Sequence, residues 1–308
     1  MSAATAEHIF LAGWPPLPEF LGFVASQSVD HSQSDLAPLT EAWIAANDRV
    51  RRLEASEAGI ADGVTIGSVP SALAGLAAEV EASDLAQRQY GNVPFRVGMI
   101  ELDRTIVFQR QINVDHARAI RASFGGAPSD EDVFRLCLPL GETRVDADVR
   151  GGLAEQHQGG SRFILAASST DLRVFAPQLV DAADVTAHIP GVAAKYVVVP
   201  VGFSANFVSA LAFNGRVLLN NGSHRAFALR EAGVTHVPAL VQEVSRPDLL
   251  PILTSDKVIA RVDDFFVAPR PPLLKDYFDD ALGVIVRVER KARQITVVTQ
   301  TGELDVPA

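Results

Sequence analysis

The residues best suited to chemistry lie together at 220–225, where Asn220-Asn221-Gly222-Ser223 runs into His224-Arg225. Residues 216–219 read as a buried strand and 223–232 are rich in helix formers, so the polar loop opens a helix. A helix N-terminus presents unpaired backbone N–H groups and about half a positive elementary charge, which makes it an anion site. Gly222 lets a ligand approach the backbone, and the planar fork of Arg225 suits a phosphate or carboxylate. The spacing points to phosphate binding, with Asn221, Gly222, Ser223, His224 and Arg225 as the cradle.

The elements that must position this loop are also legible. Asn214-Gly215, between the apolar runs 207–213 and 216–219, is the strongest short hairpin signal. Gly233 stands where a helix end favours a left-handed residue, and 237–241 reads as a short buried strand with Pro238 near its start. The expected unit is hairpin, anion loop, helix, strand.

This arrangement resembles the ParB/sulfiredoxin-like superfamily. Its second sequence box matches Gly222-Ser223-His224-Arg225 followed by Ala232-Gly233 and Val237-Pro238. Its first box has a counterpart in 95–120, which reads as strand, Glu101-Leu102, an extended piece 106–110, and a helix from about Asp115 capped by Asn113. The two blocks cover the middle third of the chain, separated by a long insertion. The resemblance implies an α/β (α+β) fold with a ParB/sulfiredoxin-like core and a mixed sheet. It also implies a nucleotide, CTP or ATP/ADP, bound as tri- or diphosphate with Mg2+, with hydrolysis or phosphoryl transfer as the reaction. In that reading His224 and Arg225 hold the phosphates, Arg110 (beside Gln109) adds a phosphate contact, and Glu101 and His224 are the catalytic candidates, Glu101 as general base or metal-orienting carboxylate. Each has a bland alternative: Arg225 paired in the core, His224 packed, Glu101 an exposed strand end, Arg110 a surface ion pair. Ser223 occupies the position of sulfiredoxin's catalytic cysteine. Serine lacks the low-pKa sulfur that sulfinyl reduction needs, so peroxiredoxin repair is disfavoured.

Composition bounds the alternatives. The 308 residues are 48% hydrophobic and 21% charged, an ordinary globular balance with room for one large domain or two to three small ones. The net charge of −10 argues against non-specific DNA binding and makes a nuclease the less favoured reading. The single cysteine, Cys137, excludes an intramolecular disulfide and reads as a buried structural thiol. No apolar run reaches the length of a membrane span, and no basic stretch followed by a hydrophobic one opens the chain; a cytoplasmic protein is the expectation. The seven histidines look scattered, and no metal-ligand spacing stands out.

Along the chain, residues 1–92 read as a proline-rich arm (Trp14–Val24) and a helical hairpin, 36–58 and 70–89. The core is expected at 93–245, with strands at 134–140, 162–167, 172–175 and 196–201 (the last buried), and a polar mobile loop at 144–160. Residues 246–308 read as a linker and a β-rich tail, a hairpin of 284–288 and 294–299 across the basic turn 289–293. The helix-turn-helix that partition proteins carry after the core has no counterpart here. The second functional reading is therefore a non-enzymatic interaction module on a degenerate core, docking a protein partner through the arm or the tail, or a second copy of the chain.

Overall fold

Asn214 and Gly215 both adopt positive φ, 51° and 72°, as a two-residue type I′ hairpin requires of its central pair. The turn they make sits in the main sheet of the computed structural model, which describes residues 4–30, 36–140, 149–157, 159–168, 172–185, 192–203 and 206–305. Two compact units form: Met1–Thr143 with Ala205–Arg290, and Arg144–Ser204 with Lys291–Ala308. The boundaries expected at 93 and 245 fall elsewhere.

The first unit opens with β1 (Thr5–Leu11), α1 (Leu17–Ala25), α2 (Ala37–Glu57), α3 (Ala74–Ala82) and α4 (Asp84–Tyr90). It continues through β2 (Phe95–Glu101), β3 (Ile106–Val107), β4 (Gln111–Asn113), α5 (Val114–Ala122) and α6 (Asp130–Cys137). The second unit contributes β5 (Arg150–His157), β6 (Gly160–Ala167), β7 (Leu172–Val174), β8 (Gln178–Asp181), β9 (Lys195–Val198) and β10 (Val201–Phe203). The chain then returns to the first unit with β11 (Ser209–Phe213), β12 (Arg216–Asn221), α7 (Ser223–Glu231) and β13 (His236–Glu243). Three short helices, α8 (Leu250–Leu253), α9 (Asp256–Ile259) and α10 (Val262–Phe266), lead to β14 (Gly283–Glu289), and β15 (Arg293–Gln300) belongs to the second unit.

In the first unit a mixed five-stranded sheet runs β2-β13-β11-β12-β3. β12 is antiparallel to β11 and parallel to β3, and β13 is parallel to β11 and antiparallel to β2. The two sequence blocks thus share one sheet, and α7 packs on α5 and α6. Pro238 is tolerated in β13 because β11 pairs only from Leu240 onward. Leu240 donates its N–H toward Val208, so two residues earlier the missing donor faces a side with no strand. Ala226, Ala228 and Leu229 of α7 are fully buried, as are Ala239, Leu240 and Val241 of β13.

Several expected elements change. The arm is not a free docking segment: β1 lies between β14 and β4 in a three-stranded sheet, and Trp43 and Asn47 of α2 donate to the carbonyls of Pro15 and Gly13. The helix expected at 70–89 breaks at Ser83, whose ψ of 137° leaves the helical region and whose hydroxyl caps α4 through Ala86 N–H. The strand expected at 134–140 is largely α6. A reciprocal capping box between Ser129 and Asp132 and three acidic residues in the first turn favour the helix over the local β-propensity. The tail hairpin does not form, because β14 pairs with β1 and β15 pairs with β6.

Within the second unit, β15-β6-β5 form one antiparallel sheet and β8 with β9 and β7 with β10 form two-stranded ribbons. The loop expected at 144–160 holds β5; its residues 144–148 and 158 lie outside the described ones. The strand expected to be buried at 196–201 is β9 followed by β10, and Val197 is 74% exposed. No helix among the described residues is long and apolar enough to cross a membrane.

Candidate functional site

β12 delivers Asn221 and Gly222 to the N-terminus of α7, as the loop reading required. Gly222 has φ of 100°, a left-handed conformation that L residues resist. A Cβ placed there would lie 2.7 Å from Val208 Cγ2. Close packing against Val208 therefore excludes any side chain at 222. Asn221 turns inward and donates Nδ2–H to Phe207 O at 2.8 Å.

Arg225 is 6% exposed. Its Nη1 donates to Leu136 O at 3.1 Å and Cys137 O at 3.3 Å, and to Asn206 O; Nη2 donates to Asn206 Oδ1 at 3.0 Å. Leu136 and Cys137 are the last residues of α6, whose terminal carbonyls have no partner within the helix. Arg225 thus caps α6 with a cation, the charge that a helix C-terminus favours. Its fork is occupied by the protein. Cys137 beside it is fully buried, and burial pushes its thiol up to about 12, in keeping with a structural role.

His224 is engaged in the same way. Its Nε2 accepts the backbone N–H of Asn113 at 3.0 Å, which places the ring proton on Nδ1. The Asn113 side chain meanwhile accepts His116 N–H and caps α5. The His116 ring meets His224 edge to face, with centroids 5.3 Å apart. His8 enters from β1, directly opposite Asn113 on β4. Burial, then His116, His8 and Arg225, lower the His224 pKa to about 4; burial also lowers those of His116 and His8. The imidazole is neutral at pH 7, so it brings no positive charge to the phosphates it was expected to hold.

The remaining expected residues do not join this loop. Glu101 ends β2 opposite His236, the first residue of β13, and lies 3.8 Å from Arg104. That is the C-terminal end of α7, where Arg230 clamps Asp103 at 2.6 and 3.0 Å. The nine-residue helix puts about 13 Å between that end and Ser223. Glu101 is therefore not placed to act on a ligand at the loop.

Arg110 lies in a separate cleft of about 180 Å³, lined among others by Trp14, Phe108, Phe265, Arg261 and Arg270. It pairs with Glu19 at 2.7 Å. Gln109 lines the cleft too, and its carbonyl accepts the Tyr277 hydroxyl.

Sequence reasoning brought the two blocks together but missed His8 and His116 beside His224, and Trp14, Glu19 and Arg261 around Arg110. The histidines are 216 and 108 residues from His224, so only tertiary packing, β1 on β4 and α5 on α7, joins them. Trp14 stood out only as part of an apolar, proline-rich run. The side chains that the resemblance assigns to the phosphates are engaged within the protein, the Arg225 fork by Leu136, Cys137 and Asn206 and the His224 Nε2 by Asn113 N–H. No family model matches the chain, and no curated protein or solved structure does either.

Proposed function

We propose that this chain is a non-enzymatic interaction module on a degenerate ParB/sulfiredoxin-like core, in which the phosphate loop has become a structural joint. One observation carries the interaction reading: the second unit leaves apolar cross-strand pairs in solvent. Leu179 and Val197 face each other across β8 and β9 at 68% and 74% exposure. On the three-stranded sheet, Leu153 (51%) lies opposite Phe163 (37%). Exposed apolar groups clustered in this way mark surfaces that a partner covers. The docking surface in this reading includes β15 of the expected β tail, and no longer the arm.

The competing proposal remains nucleotide binding, implied by the resemblance. The two separate cleanly. A photo-cross-linker at Leu179 in the intact protein, expressed in its own cell, should give a discrete protein adduct that Val197→Asp removes. Absence of any adduct, together with Mg2+-dependent binding of CTP, ATP or ADP by the purified protein, overturns the interaction reading in favour of the nucleotide one.

A further inference from the structure

The Arg110 cleft differs from the buried arginines Arg216 and Arg270 of the first unit. Arg216 is buried at 5% exposure, donating to Phe265 O at 3.1 Å and Ala268 O at 2.8 Å. Arg270 is buried at 1%, its charge met by Asp276 and by Glu57 at 3.0 Å. Arg110 and Arg261 instead remain about a quarter exposed and converge on one carboxylate. Glu19 takes Arg110 on Oε1 at 2.7 Å and Arg261 on Oε2 at 4.0 Å. Arg261 also pairs with Asp264 at 2.5 Å, and Glu54 lies on the lining as a second carboxylate.

Against these charges stands an apolar wall of Leu11, Trp14, Phe108 and Phe265. Trp14 stacks over the Arg270 guanidinium at 5.6 Å, and its Nε1–H is buried with no hydrogen-bond partner. A buried donor without an acceptor is costly, so such groups are satisfied by water or a ligand. It is the lining's one buried side-chain polar atom without a hydrogen-bond partner among the described residues, which makes its resonance a local reporter of the cleft. The volume, about 180 Å³, is below that of drug-sized pockets and close to the roughly 150 Å³ that encloses a benzene ring.

We propose that this cleft binds a small aromatic carboxylate, one ring bearing one carboxyl group. The ring lies against Trp14, Phe108 and Phe265. The carboxylate takes the place that Glu19 holds between Arg110 and Arg261, matching a planar anion to planar guanidinium forks. Glu19 is then a built-in competitor, tethered to α1 at a high effective concentration that any ligand must overcome. Its removal should strengthen binding, whereas removal of a merely structural ion pair would not. This proposal is independent of the interaction surface on the second unit.

The chain has two tryptophans, so the Trp14 indole N–H gives one of two resolved side-chain resonances in a 15N-labelled sample, assigned by Trp14→Phe. Benzoate is the probe and benzyl alcohol the control. Benzoate should shift the Trp14 resonance saturably in the full chain. Glu19→Gln should tighten the apparent Kd about tenfold and Arg110→Gln weaken it at least tenfold, with the unfolding midpoint of each variant confirming the fold. A Trp14 resonance unmoved by benzoate in both wild type and Glu19→Gln overturns the proposal. So does equal affinity across the three proteins, or equal binding of benzyl alcohol.

Discussion

The α7 loop and the Arg110 cleft both place arginine beside backbone and aromatic groups, yet they have opposite internal states. At the loop the side chains expected to hold an anion are engaged within the protein. Arg225 caps α6, His224 accepts Asn113 N–H, and Val208 packs where a Gly222 side chain would point. At the cleft two partly exposed arginines share a carboxylate, and an indole N–H lacks an acceptor. A residue pattern specifies which groups are available, but whether they face a ligand depends on which orphan backbone groups lie within reach. The end of α6 supplied carbonyls to Arg225, and no comparable acceptor reaches Trp14.

This contrast can be broken first at Arg225. Arg225→Ala removes the donor to Leu136 O and to Asn206, while Cys137 O keeps the Val208 N–H, and should cost about 3 kcal/mol in urea unfolding. Lysine should rescue it poorly, lacking the fork. A loss below about 0.5 kcal/mol, the range of ordinary surface substitutions, would mean that the guanidinium is free for other work.

The histidines sharpen the same point through pH. The folded-state pKa of His224 is about 4 against an ordinary value of 6.5, so the unfolded chain takes up the proton first as pH falls. Stability should be flat above about pH 6.5 and decline toward pH 4, by about 3 kcal/mol for this group alone. His116 and His8 shift in the same direction. His224→Gln should flatten the profile between those pH values; an unchanged slope would contradict the burial argument.

Gly222→Ala combines a positive φ with a 2.7 Å clash against Val208 and should cost about 1–3 kcal/mol. A neutral result would show that the loop relaxes easily and has room for a ligand. At the cleft the smallest effect is expected. The Arg110–Glu19 pair is partly exposed, so Arg110→Gln should change stability by less than about 1 kcal/mol while removing benzoate binding. A large destabilisation there would make the two regions alike.

Much of the loop's scaffold was legible because its signals are local. Asn214-Gly215 needs positive φ at both residues, Gly222 and Gly233 need it at the two ends of α7, and all four adopt it. The pairing of the 95–120 and 216–244 blocks, β2 with β13 and β3 with β12, is non-local and no local signal carried it. Non-local choices were hidden. The alternating runs 284–288 and 294–299 read equally well as a hairpin or as strands of two different sheets, and tertiary pairing chose the latter. Residues 134–137 carry β-favouring side chains, but Ser129 and Asp132, upstream of them, decided for a helix. The use of Arg225 was hidden for the same reason, since its acceptors lie on an element 88 residues away.

The most direct test of the structural-joint account follows the His224 imidazole resonances of the full chain during titration with CTP, ATP and ADP in the presence of Mg2+. The account predicts no saturable shift up to millimolar nucleotide, because neither the ring nor Arg225 is open to a phosphate. A saturable shift in the micromolar range, on the order of −8 kcal/mol of binding, would contradict it and restore the α7 loop as a phosphate site.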